Sequence, residues 1–93
     1  MTNWDDYRLF LSVARAQGLV AAVQETALSA PTLSRRLRAF EERIGQQLFI
    51  RRKDGYELTA AAAELLELLG PIEQQFLSIE RWHNGFDAGA VVK

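Results

Sequence analysis

Ninety-three residues, 48% of them apolar and carrying a net charge of −1, bound the chain to one small domain with a modest core. It has no cysteine and a single histidine, His83, which excludes disulfides, thiolate zinc sites and cysteine nucleophiles, and leaves too little histidine for a metal site. There is no basic leader with an apolar signal core and no apolar run long enough to span a bilayer, so a cytoplasmic protein with no membrane partner is expected.

Asn3 caps a first helix in this reading, with Asp6 three residues later favouring its positive end. Trp4, Tyr7, Phe10, Leu11 and Ala14 form its apolar stripe, Val13 lies beside it, and Gly18 is the expected stop. Val20 to Ala27 reads as a short second helix, apolar at Val20, Ala22 and Val23.

The stretch from Leu28 to Arg38 opens a third helix. Ser29 is a suitable N-cap, and Pro31 falls in the first turn, where its missing donor costs little. Leu33, Leu37, Phe40 and Ile44 recur at helical spacing and share one face. Pro31, Ser34, Arg35, Arg38 and Ala39 fall opposite, flanked by Thr32. A helix anchored on one side and offering small polar and arginine side chains on the other suits a DNA major groove. Two short helices joined by a tight turn form a helix-turn-helix pattern.

Gly45 ends this helix. Leu48 to Lys53 and Tyr56 to Leu58 are β-prone runs around Asp54-Gly55, a hairpin signal, and the hairpin reads as a wing with its basic side toward a phosphate backbone. The local charge supports that reading. Residues 31–53 hold seven basic side chains against Glu41 and Glu42, a net +5, whereas residues 54–93 hold two against seven, a net −5. For one helix alone, a simple solvated basic face would explain the arginines equally well.

Thr59 caps a last long helix. Leu58, Ala62, Leu65, Leu69, Ile72, Phe76 and Ile79 follow a heptad-like spacing, and Leu66, Leu68, Leu77 and Trp82 widen the stripe. That surface calls for a partner, a second copy being the simplest, unless the helix folds back on its own domain. Pro71 is expected to kink or break it. The tail, residues 84–93, lacks periodicity and reads as frayed.

Four pieces in order, Phe10-Leu-Ser-Val-Ala14 then Gly18, Leu28-Ser-x-Pro-x-Leu-Ser-Arg35 with Leu37, Phe40-Glu-x-x-Ile-Gly45, and Leu48-Phe-x-Arg51 with Leu58-Thr59, resemble the LysR-type transcriptional regulators. The resemblance covers about residues 4–82. It implies a mainly α fold: a three-helix winged helix-turn-helix with a β-hairpin wing over 1–58, a linker helix over 59–83 and a tail over 84–93.

Carried over by position, it implies double-stranded DNA contacts by Ser29, Ala30, Pro31, Thr32, Ser34, Arg35 and Arg38, and by Arg51, Arg52 and Lys53 in the wing. It also implies a homodimer through Ala62, Leu65, Leu66, Leu69, Ile72, Phe76 and Ile79. Ala30 stands where the family often has glutamine, and Thr26 where an apolar residue is typical. No effector-binding domain follows the linker helix within the 93 residues, so a small-molecule effector is expected only with such a domain. The expected function is sequence-specific, dimeric transcription regulation at the nucleoid, with no cofactor, metal or enzymatic activity. The alternative is a winged-helix interaction module that no longer binds DNA.

Overall fold

In the computed structural model the described residues are 3–85, and they form four helices and one hairpin. These are α1 (Trp4–Ala16), α2 (Val20–Thr26), α3 (Ala30–Ile44), β1 (Phe49–Arg52), β2 (Gly55–Leu58) and α4 (Ala60–Gly85). The architecture is the expected mainly helical winged helix-turn-helix followed by a long C-terminal helix.

Local sequence sets the helix starts. The Asn3 side chain accepts from the Asp6 amide and the Asp6 carboxylate accepts from the Asn3 amide, both at 3.2 Å, a reciprocal capping box. Ser29 caps α3 by accepting from the Thr32 amide at 3.3 Å. The Thr59 hydroxyl accepts from Ala62 N–H at 3.1 Å and donates to the Gln47 carbonyl at 2.7 Å, so the cap of α4 is also fastened to the segment entering the wing.

The end of α1 departs from expectation. α1 stops at Gln17, which itself adopts the left-handed conformation (φ 56°), and not at Gly18. A non-glycine residue there costs about 1–2 kcal/mol. The return is that the Gln17 carbonyl is free to accept from Tyr56 N–H of β2 at 2.9 Å, pinning the hairpin to the end of α1. α3 ends on Gly45 (φ 71°), as its sequence indicates.

The core is built by one face of each element. Val13 and Phe10 from α1, Leu33, Leu37 and Phe40 from α3, and Leu48 and Phe49 from the approach to the wing are fully buried. Each contributes about 1.5–3 kcal/mol of burial. The rings interlock, with Tyr7 edge-on to Phe40 at 5.2 Å and Phe10 against Phe49 at 5.6 Å. In α2, Ala22 is buried and Val23 packs on the core, but Val20 is 81% exposed, so the short helix is anchored by two residues rather than three. Thr26 stands in its core-facing position because its hydroxyl donates to the Ala22 carbonyl at 2.6 Å and accepts from Leu28 N–H, closing the helix end.

The hairpin is antiparallel, with Phe49 opposite Leu58, Ile50 opposite Glu57, Arg51 opposite Tyr56 and Arg52 opposite Gly55. Its turn is therefore Lys53-Asp54, one residue earlier than Asp54-Gly55, and Gly55 opens β2.

α4 runs unbroken through Pro71, and the expected break is absent. Proline removes the bond to the Glu67 carbonyl, but both residues are exposed and water can satisfy that oxygen. The helix also continues to Gly85, beyond the expected boundary at 83; the rest of the expected frayed tail, residues 86–93, lies outside the described residues.

Candidate nucleic-acid interface

The burial pattern of α3 divides its labour. Leu33, Leu37 and Phe40 are sealed in the core, while Ser29, Ala30, Pro31, Arg35 and Arg38 are exposed and Thr32 and Ser34 half-exposed. All the α3 residues expected to meet DNA thus lie on the accessible surface of its cap and first nine residues.

That surface carries an ordered set of polar groups. The Ser29 hydroxyl donates to the Thr32 hydroxyl at 2.9 Å, and an Arg35 guanidinium nitrogen approaches the same Thr32 oxygen at 3.5 Å, the outer limit of a hydrogen bond. A hydroxyl accepts twice and donates once. With Ser29 and Arg35 on the accepting side, the Thr32 proton is left to donate outward. Arg35 retains most of its five N–H donors, the fork that matches the O6 and N7 edge of guanine. Ala30 offers only a methyl group, suited to an apolar contact.

The basic cluster of residues 31–53 is reduced by internal pairing. Arg43 reaches back to the buried Asp6 at 2.9 Å, joining the last turn of α3 to the first turn of α1. Arg52 pairs with Glu57 across the hairpin at 2.7 Å, both exposed. Among the described residues, Arg35, Arg36, Arg38 and Lys53 have no carboxylate partner. Arg36 is half-buried on the flank of α3 toward α1 and α2. Three outward cations therefore frame the site: Arg35 and Arg38 on the helix and Lys53 at the wing tip.

Arg51 is where the structure most changes the expectation. Side chains alternate along a strand, so Arg51 shares the inward side with Phe49 while Ile50 and Arg52 point out. Its guanidinium lies 2.9 Å from Glu41 and 5.3 Å from the centre of the Tyr56 ring. The same Glu41 carboxylate accepts from the amides of Leu48 at 2.7 Å and Phe49 at 3.1 Å. Burial opposes ionisation of Glu41, but the Arg51 hydrogen bond, the two amides and the guanidinium charge outweigh it, holding the carboxyl below the usual carboxylate range. Arg51 is a positioning residue that fixes the wing to α3, and its charge is already committed. Sequence reasoning assigned it to phosphate; the signal that would have placed it inward was the period-two alternation from Phe49.

The expected dimer seam also divides. Ala62 and Leu69 are buried in the domain's own core, with Leu65 and Leu66 packed against it. Phe76 is half-buried and meets the Trp4 ring at 5.9 Å. Ile72 and Ile79 are exposed, and Leu68 and Trp82, outside the expected seam, are exposed beside them. At about 100° per residue these four lie within one side of the helix, about a quarter-turn from the face bearing Ala62 and Leu69. The heptad-like stripe is two faces: one for the core, one exposed.

No described helix is long and apolar enough to cross a membrane, and no group of described acidic residues or histidine is placed to hold a metal ion.

Comparison with known proteins gives this geometry a context. Residues 4–63 match the family model of bacterial regulatory helix-turn-helix proteins, lysR family. The chain is 42% identical over 60 residues to the HTH-type transcriptional regulator TfdT of Cupriavidus pinatubonensis, 64% of this chain and 26% of that protein. It is 30% identical over 79 residues to a probable cat1 operon transcriptional activator of Acinetobacter lwoffii, 81% of this chain and 26% of that one. Among solved structures, a CbnR_DBD-DNA complex superposes with a TM-score of 0.75 at 30% identity, covering 90% of this chain and 98% of that one. The chain thus spans about a quarter of the length of these curated relatives.

Proposed function

The chain belongs to the lysR family of bacterial regulatory helix-turn-helix proteins, and from that premise we propose that it binds operator DNA sequence-specifically, as a homodimer, to regulate transcription. The observation that carries the reading is the exposed N-terminal surface of α3. Thr32, Ser34, Arg35 and Arg38 stand free of the core there, with Lys53 beyond them on the wing.

In this reading α3 enters the major groove. Arg35 reads a base edge, and Thr32 donates to a base or phosphate acceptor. Ser29 and Pro31 start the helix and, with Ala30, lie against the groove wall. Arg38 and Lys53 meet the phosphate backbone, Arg52 joining them only where it leaves Glu57. Their contribution to affinity falls with salt because releasing counterions into a more concentrated solution gains less.

The homodimer uses the exposed side of α4, with Leu68, Ile72, Ile79 and Trp82 packing on the same residues of a second copy. A two-fold axis between such helices presents two reading surfaces to two half-sites. The DNA partner places the protein in the cytoplasm, at the nucleoid.

Fluorescence anisotropy with a labelled duplex of mixed sequence at low salt tests the DNA reading. Saturable binding at micromolar protein that weakens with salt supports it. Absence of binding at that concentration overturns it in favour of a winged-helix interaction module.

A further inference from the structure

We infer that Arg15 and Glu73, with Trp4 and Phe76, set the half-site spacing this chain accepts, by fixing the angle at which α4 leaves the reading domain. The inference rests on the dimeric DNA reading above.

α4 leaves the core after Leu69, and Ile72, Ile79 and Trp82 beyond it are exposed. Among the described residues, an ion pair and a ring contact tie this outer half back to α1. The Arg15 guanidinium forks onto Glu73, both nitrogens engaging both carboxylate oxygens, one of them at 2.6 Å. Phe76, one turn on, packs on Trp4. The Trp4 indole Nε1 is enclosed with no hydrogen-bond acceptor, so packing alone holds that ring.

Arg15 and Trp4 lie at opposite ends of α1, about 16 Å apart by helix rise, whereas Glu73 and Phe76 are about 4.5 Å apart. α4 therefore crosses α1 and is gripped from both sides of the crossing. This geometry resists swinging of α4 in a way that a single contact cannot. The bidentate fork is the one surface ion-pair geometry with enough direction to matter.

α1 is itself rigidly joined to the reading elements. Phe10 packs on Phe40 of α3, and the Gln17 carbonyl holds Tyr56 of the wing. The angle between α1 and α4 is thus the angle between the reading surface and the dimer axis. The stretch from Glu73 to Gly85 is a lever of about 18 Å, so a swing of about 10° moves its end by about 3 Å. That is close to the base-pair rise of about 3.4 Å. A small change at the clasp is worth a whole base pair in spacing.

The test begins with duplexes selected by the full chain from a randomised pool. One selected two-fold duplex is then resynthesised with its half-sites moved one or two base pairs closer or further apart. The parent should prefer its selected spacing. Arg15→Ala and Glu73→Ala should each lose about two- to five-fold of that preference, with affinity for a duplex bearing one half-site unchanged. The exchange of charges, Arg15→Glu with Glu73→Arg, should restore it, and Phe76→Ala should lose it independently of charge. Unchanged spacing preference in the single variants overturns the inference, as does a loss that merely tracks half-site affinity. A parent that binds no duplex overturns the DNA reading itself, and the inference falls with it.

Discussion

The Arg51 guanidinium and the Glu41 carboxylate, 2.9 Å apart and both largely screened from water, lock the wing to the back of α3. Glu41 gathers three donors, Arg51 and the amides of Leu48 and Phe49, at the point where the chain leaves the helix and enters the hairpin. Removing Arg51 strands a buried carboxylate. Arg51→Ala should therefore cost about 2–4 kcal/mol of folding stability by chemical denaturation. At a temperature where the variant is still folded, its salt dependence of DNA binding should match the parent's, since no phosphate contact is lost.

Acid should attack the same lock. Glu41 titrates below its unfolded value, so the stability it contributes is complete above the ordinary carboxylate range and is lost as pH falls through its lowered value. Glu73, held down by the Arg15 hydrogen bond, acts in the same direction. The parent should lose stability progressively below about pH 4. Glu41→Gln, less stable at neutral pH, should show a shallower acid limb in circular dichroism titrations.

At the wing tip, Glu57 competes with DNA for Arg52. Glu57→Gln should raise affinity for duplexes of any sequence and steepen the salt dependence by about one phosphate contact, a slope change of about 0.9. Lys53→Ala should change the slope by a similar amount in the opposite direction. Anisotropy titrations across a salt series read both.

Gly55 cannot carry a side chain. A Cβ there would sit 2.8 Å from the Gln17 carbonyl oxygen, and its φ of +146° is a backbone conformation that side chains rarely adopt. Gly55→Ala should destabilise the protein by about 1–3 kcal/mol. It should also release the hairpin from α1, visible as faster amide exchange at Tyr56, whose N–H is held by Gln17.

Arg35 is the residue assigned to sequence reading. Arg35→Ala should weaken binding to a selected operator by about 1–3 kcal/mol while affecting mixed-sequence duplex less, relaxing preference at one base pair.

What could be read from the sequence follows the range of the interactions. The capping box of Asn3 and Asp6, the Ser29 cap and the buried face of α3 are decided within one or two turns, and the residues alone identify them. The wing was legible as a hairpin, but not its pin to α1, because the Gln17 carbonyl and Tyr56 amide are distant in sequence. The inward pairing of Arg51 was hidden for the same reason: its partner Glu41 lies on another element. In α4 the spacing revealed one broad apolar stripe, and only packing separates the core side of Ala62 and Leu69 from the open side of Ile72 and Ile79. Whether Pro71 breaks α4 depends on whether the freed Glu67 carbonyl meets water, which the residue types do not state.

The most direct test of sequence-specific, dimeric reading is selection of bound duplexes from a randomised pool by the purified chain. Recovery of an inverted repeat, with half-sites about one helical turn or a multiple apart, is the expected result. Recovery of sequences with no shared motif would contradict it.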